Sequence, residues 1–203
     1  RLEHQRHQRG AAAAEDERIE RTAFDPAARA RLVDHPDKTI SERAQKFFKE
    51  ELSDRAQVVT AYLDAAKLEG DVARGKKYFE EHCAKCHLPQ REKARIGADL
   101  SGINNKTKEE LITSILNPSK SIEPRFVNYI VTAKDGHIYD GVLGNETPGS
   151  ITLRGGAEGD ITILRTNIAD IRASAISLMP DGFEKKLDKQ AIADILAYLR
   201  GGL

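Results

Sequence analysis

The sequence predicts a mainly α chain, α+β overall, with an inserted antiparallel β subdomain and a helical N-terminal extension. Three observations predict it. Apolar residues recur at helical spacing toward both ends of the chain. Between residues 125 and 173 the period changes to two, with β-branched residues throughout. The chain's only two cysteines fall in Cys83-Ala84-Lys85-Cys86-His87, directly after a helix-like stretch.

Residues 1–22 are charged, include Ala11 to Ala14, and read as a frayed helix. Residues 25–68 read as helices. Ala27, Ala28, Ala30, Leu32 and Val33 form a short apolar set, and Asp34-His35-Pro36-Asp37 is a turn, because Pro36 disfavours helix at the residue before it. Ser41 to Glu51 carries Ala44, Phe47 and Phe48 at helical spacing. Arg55 to Leu68 does the same with Val58, Val59, Tyr62, Leu63 and Ala66, and Gly70 ends the segment.

Asp71 is placed to cap the next helix, on which Val72, Gly75, Tyr78 and Phe79 share a face. Gly75 there would admit the close approach of another helix. Leu88 to Arg95 reads as a basic loop and Gly97 to Ile103 as a turn. Thr107-Lys108-Glu109-Glu110 has the form of a capping box before Leu111, Ile112, Ile115 and Leu116. Asn117-Pro118 weakens or bends that helix.

Phe126 to Thr132 alternates as a strand, and Asp135-Gly136 is a hairpin dipeptide. Ile138–Leu143, Ser150–Arg154, Asp160–Arg165 and a short Ile168–Arg172 continue what reads as a meander. A last helix carries Leu187, Ala191, Ile192, Ile195, Leu196 and Leu199 on one stripe and stops at Gly201-Gly202.

C-x-x-C-H is the attachment signature of a c-type haem. Two thiols add to the two haem vinyl groups, and the histidine that follows can fold under the ring to the iron. A structural zinc site needs four ligands, and the chain has no second C-x-x-C and no H-x-x-x-H. A thioredoxin-like dithiol sits at a helix N-terminus after a strand, whereas this motif follows a helix. One covalently attached haem c is therefore expected, held by Cys83 and Cys86 with His87 on the iron.

The sixth ligand is expected to be Met179, the only methionine, 92 positions after His87. It lies in a turn-rich stretch with Pro180 and Gly182, shortly before the last helix. His4, His7 and His35 sit in charged segments and read as solvated. His137 follows the hairpin turn, and His82 is expected to point away from the ring.

The 203 residues suffice for one domain with an appendage or two small domains. Lys plus Arg and Asp plus Glu both number 32, so no global field draws the chain to nucleic acid or an anionic membrane. No 18-residue apolar run is present, so no transmembrane segment is expected. Ala11 to Ala14 is too short and too weakly apolar for a signal h-region. The chain reads as a processed product or a fragment of a larger protein. Covalent haem attachment places it in the periplasm or another extracytoplasmic space. No Ser-His-Asp or enzyme-type metal constellation is visible.

The motif, the helices around it, the methionine loop and the last helix together resemble a class I c-type cytochrome. The likeness is sharper over Gly70-Asp71-Val72-Ala73-Arg74-Gly75-Lys76-Lys77-Tyr78-Phe79, Gly97-Ala98-Asp99-Leu100-Ser101-Gly102-Ile103 and Leu116-Asn117-Pro118-Ser119. It continues through Phe126-Val127-Asn128-Tyr129, Ser177-Leu178-Met179-Pro180 and Asp194-Ile195-Leu196-Ala197-Tyr198-Leu199. These segments resemble the C-terminal haem-binding domain of large planctomycete proteins of the membrane-bound dehydrogenase type, over residues 68–203. Residues 25–68 are similar to the tail of the HEAT-type repeats that often precede that domain.

The resemblance implies a class I cytochrome c fold over residues 70–203 with a β insertion at 125–173, behind an extension at 1–69. It implies thioether links at Cys83 and Cys86, proximal His87 and distal Met179. A backbone carbonyl near Gly97-Ala98 would orient the histidine, although Ala98 stands where proline is usual. Gly75, Phe79 and Tyr198 would mark the crossing of the first and last helices. The loop from Leu88 to Gly97 is shorter than the family's usual one.

Leu100, Ile103, Ile112, Leu116 and Leu178 are the candidate apolar wall of the haem pocket. The expected function is single-electron transfer by a monohaem cytochrome, not catalysis. Its partner would be a redox protein or a dehydrogenase domain of the same polypeptide. The β segment would shield the haem or stiffen the methionine loop, or else offer a docking surface. The alternative is a haem-based gas sensor or peroxidase-like site with a labile methionine.

Overall fold

The computed structural model describes residue 24 and residues 26–87 and 96–201. The expected frayed helix at 1–22 and basic loop at 88–95 lie outside them. The chain divides into two compact units. One joins the residues up to Asp54 to Glu123–Leu178, and the other joins Arg55–Ile122 to Met179–Leu203.

In the first unit, helix α1 (Pro26–Val33) leads through the Pro36 turn into α2 (Lys38–Tyr62), whose residues from Arg55 on belong to the second unit. The two separate helices expected at 41–51 and 55–68 are one continuous helix to Tyr62, followed by a 3-10 turn at Leu63–Lys67. Residues 51–55 contain neither glycine nor proline, so the backbone has no cause to break there. Phe24 packs edge-on against Phe47 and Phe48, with ring centroids 6.3 and 5.7 Å apart.

The same unit holds a five-stranded antiparallel sheet: β1 (Asn128–Ala133), β2 (Ile138–Glu146), β3 (Ser150–Gly156), β4 (Gly159–Leu164) and β5 (Ile168–Ala173). Pro124–Phe126 forms a 3-10 turn, so the first strand begins at Asn128 and not at Phe126. The β1–β2 turn places Gly136 at φ +87°, a conformation that costs a side-chain-bearing residue more.

The sheet order is β4-β3-β2-β1-β5, so β1 to β4 form the expected antiparallel meander and only the short fifth strand departs from it. β5 returns across the sheet to pair with β1, in the register Tyr129 to Ala173 and Val131 to Ile171. Val131, Ile151, Leu153 and Ile163 form the buried apolar centre, with Tyr129, Tyr139, Leu143, Ile161 and Ile168 packed around them. α1 packs on β1 and β2, and Arg172 of β5 pairs with Asp34 after α1.

The second unit contains α3 (Val72–His82), the single turn α4 (Ala84–His87), α5 (Lys108–Leu116) and α6 (Lys189–Gly201). Asp71 caps α3 by accepting the Arg74 N–H at 2.7 Å. Thr107 and Glu110 form both bonds of the capping box on α5, at 3.1 and 2.6 Å. Asn117 ends that helix instead of bending it. α3 and α6 pack directly, with Phe79 and Tyr198 ring centroids 5.3 Å apart. Gly75 and Phe79 are buried at this crossing, whereas Val72, placed on the same face from sequence, is 44% exposed. It lies in the first turn of α3.

Candidate functional site

The site is built at the C-terminal end of α3. Cys83 closes that helix, its N–H donating to the Phe79 carbonyl at 2.8 Å. The chain then winds once more. The Cys86 and His87 N–H groups both donate to the Cys83 carbonyl at 3.1 Å. This single turn presents both thiols and the imidazole from five consecutive residues.

His87 is held from outside the turn. Its Nδ1 lies 3.0 Å from the Ala98 carbonyl oxygen, and the Gly97 N–H donates to the Cys86 carbonyl at 3.1 Å. A carbonyl only accepts, so Nδ1 carries the proton and the ring's lone pair sits on Nε2. Gly97 forms the cradle. A Cβ there would fall 2.8 Å from His87 Cε1 and 2.9 Å from Nδ1, closer than side chains pack. Alanine at position 98 still supplies the accepting carbonyl expected there.

Burial holds the His87 pKa below its ordinary value, against the opposing pull of the Ala98 carbonyl, so the imidazole stays neutral. Burial and the neighbouring Cys86 push the Cys83 thiol up to about 11, and burial also raises Cys86. Redox-active dithiols have the opposite character, with a thiolate stabilised at a helix N-terminus. Among the described residues no three His, Cys, Asp or Glu side chains form a group that could hold a metal ion.

One apolar cluster joins most of the candidate pocket. Phe79, Leu111, Ile112, Leu116, Leu196 and Leu199 are buried in it. Cys83, Ala84, Leu100, Ile103 and Met179 pack against it, half-buried. The unit thus brings Cys83 and Met179, 96 positions apart, onto one apolar core. Leu178 is half-buried and belongs to the β-containing unit.

His4 and His7 lie outside the described residues. His35 accepts the Asp37 N–H at 3.1 Å, and His137 pairs with Glu158 at 2.5 Å. His82 is 3.6 Å from the Glu81 carboxylate.

Sequence reasoning missed Asp194. Its side chain is 1% exposed and accepts from the Asp71 N–H, Arg74 and Gln190 at 2.7–3.0 Å. The signal was a lone carboxylate between Ile192 and Ile195 on an otherwise apolar helix face. It also missed Arg55, Tyr62 and Glu184, which meet at the 3-10 turn Phe183–Lys185. Their separation in sequence leaves no local pattern.

These residues fit a covalently attached haem. The donor set has two protonated thiols and one oriented neutral imidazole, with a thioether on the same apolar core.

The sequence model of the cytochrome c family matches residues 72–138. The match takes in the cysteine pair, His87 and α5. It ends before β2 is complete, so Met179 and α6 lie beyond it. A domain of this family carries electrons on haem and is not itself catalytic, which supports haem-based electron transfer for this chain. Among curated proteins, no sequence matches it. No helix among the described residues is long and apolar enough to cross a membrane.

Proposed function

We propose that the chain is a monohaem c-type cytochrome carrying single electrons between protein partners. One haem c would be held by thioethers at Cys83 and Cys86, with His87 and Met179 as ligands to its iron. The observation that carries this reading is the hydrogen bond from His87 Nδ1 to the Ala98 carbonyl, which turns the Nε2 lone pair into a ligand.

When bound, the haem supplies a one-electron iron couple. The chain's residues set the conditions for it. The Gly97 cradle and the Ala98 carbonyl fix the imidazole plane and its tautomer. Leu100, Ile103, Ile112 and Leu116 line an apolar wall that excludes water, which disfavours the more charged iron state and raises the potential. A Met179 thioether favours the reduced form further. No proton needs to move at these groups.

In this reading residues 1–69 form an extension, residues 70–203 a class I cytochrome domain, and 125–173 an insertion within it. The electron donor would be a dehydrogenase, on the same polypeptide or separate, in the periplasm or another extracytoplasmic space.

The test is the absorption spectrum of the haem-loaded protein, with the mass of a peptide spanning Cys83 and Cys86. The expected result is a peptide heavier by one haem, a ferric Met-to-iron charge-transfer band, and a ferrous spectrum unmoved by carbon monoxide. A high-spin ferric spectrum with ready carbon monoxide binding would assign the site to gas sensing or peroxide chemistry instead.

A further inference from the structure

We propose that Arg55 and Tyr62, at the end of α2, are positioning residues that clamp the loop carrying Met179. The proposal rests on the reading of Met179 as the distal ligand. It gives a role to residues that precede the cytochrome match at 72–138.

A thioether is a neutral, weak ligand, so the iron holds it only as firmly as the protein presents it. The segment after Met179 has little regular structure of its own. Pro180 and Asp181 lead to Gly182 at φ +83°, then to one 3-10 turn at Phe183–Lys185. Phe183 and Leu187 anchor that turn in the core, 9% and 1% exposed.

Two polar contacts from α2 close on the same turn. Arg55 and Glu184 form a two-pronged ion pair, Nη1 to Oε2 at 3.0 Å and Nη2 to Oε1 at 2.8 Å. Their side chains are only 12% and 14% exposed, so water screens the pair weakly. The Tyr62 hydroxyl donates between the carbonyls of Glu184, at 3.2 Å, and Leu187, at 3.0 Å. Arg55, Val59 and Tyr62 stand at i, i+4 and i+7, which is one face of a helix across two turns. Val59 between them is buried in the same core.

The face therefore attaches α2 to the segment Glu184–Leu187 through Arg55 and Tyr62, with Val59 between them in the core. It fixes the side-chain carboxylate and the backbone carbonyls together. Loosening it frees the exit of the methionine loop without touching the haem motif or the His87 cradle.

The experiment compares the full chain with Tyr62→Phe and with the double variant Arg55→Gln, Glu184→Gln, which avoids stranding a buried carboxylate. A third variant, Ile192→Val, lowers global stability through the α6 core and serves as the reference. Two readouts are taken. One is amide hydrogen exchange at Lys185, Lys186 and Leu187 in the haem-free and haem-loaded chains. The other is the rate at which added imidazole displaces the ferric charge-transfer band.

The clamp variants are expected to speed both by about tenfold, the size of one lost net hydrogen bond. Ile192→Val should leave the displacement rate unchanged at matched stability. If the clamp variants behave like Ile192→Val, the clamp is wrong and Met179 ligation stands. If the unmodified protein lacks the band altogether, the ligand assignment fails and the proposal falls with it.

Discussion

A side-chain carbon on Gly75 would lie 1.9 Å from the backbone carbonyl oxygen of Asp194. The obstacle is main chain, so no rotamer change relieves it. α3 and α6 cross at this point because position 75 has no side chain. Phe79 and Tyr198 then fill the crossing one turn further on.

Replacing Gly75 by alanine should force the helices apart. The helix-propensity gain of about 1 kcal/mol is outweighed by overpacking of about 3 kcal/mol. A net loss near 2 kcal/mol should be read from the urea midpoint. An unchanged midpoint would mean that the helices can slide without penalty.

The same crossing carries an acid-sensitive bond set. Burial of Asp194 works against its ionisation, but Arg74, the Asp71 N–H and Gln190 together hold its pKa below the ordinary 3.8. The ionised form is thus favoured in the folded state. Its stabilisation is complete above that ordinary value and disappears as pH falls through the lower folded one. Asp194→Asn should be destabilised at neutral pH by about 2 kcal/mol, from the weakened charged hydrogen bonds. The gap between variant and parent should begin to narrow as pH falls below 3.8 and close only below the lower folded value, read from unfolding curves at stepped acid pH. A gap that stays constant with pH would show that the loss is steric.

Gly97 gives a sharper test of the His87 site. Alanine there would place its methyl 2.8 Å from the imidazole Cε1 and push the ring off the Ala98 carbonyl. Gly97→Ala should still attach haem at Cys83 and Cys86, since neither thiol is touched. Its ferric spectrum should shift toward high spin, and its midpoint potential should move. Retention of the parent spectrum would show that the Gly97 loop yields instead.

Much of this was legible because it is local. The capping box at Thr107 and Glu110, the Asp71 cap and the Asp135-Gly136 turn each depend on residues within four positions of one another. Gly75 was legible too, as a glycine on an apolar helix face. What escaped was non-local. Nothing near Ile168 says that β5 pairs with β1 in preference to β4, because both edges offer the same backbone groups. The run through Leu52, Ser53 and Asp54 looked like a gap between two apolar sets, but polar residues do not end a helix without a breaker. Arg55 and Glu184 are 129 positions apart, and only the folded chain puts them together.

Asn128 supports a last prediction of the opposite sign. It opens β1, opposite Val142, and is fully buried. Its backbone carbonyl accepts from the Ser174 N–H at 2.8 Å, but neither side-chain amide atom has a hydrogen-bond partner among the described residues. A buried amide without partners costs about 1–3 kcal/mol. Leucine has nearly the same shape and no such cost, and the backbone bond to Ser174 would remain. Asn128→Leu should therefore raise the unfolding midpoint of the β-containing unit by the equivalent of about 1 kcal/mol. A lowered midpoint would mean that the amide finds partners in solution. A raised midpoint with slower electron transfer from the partner would mark Asn128 as a residue kept for function at the expense of stability.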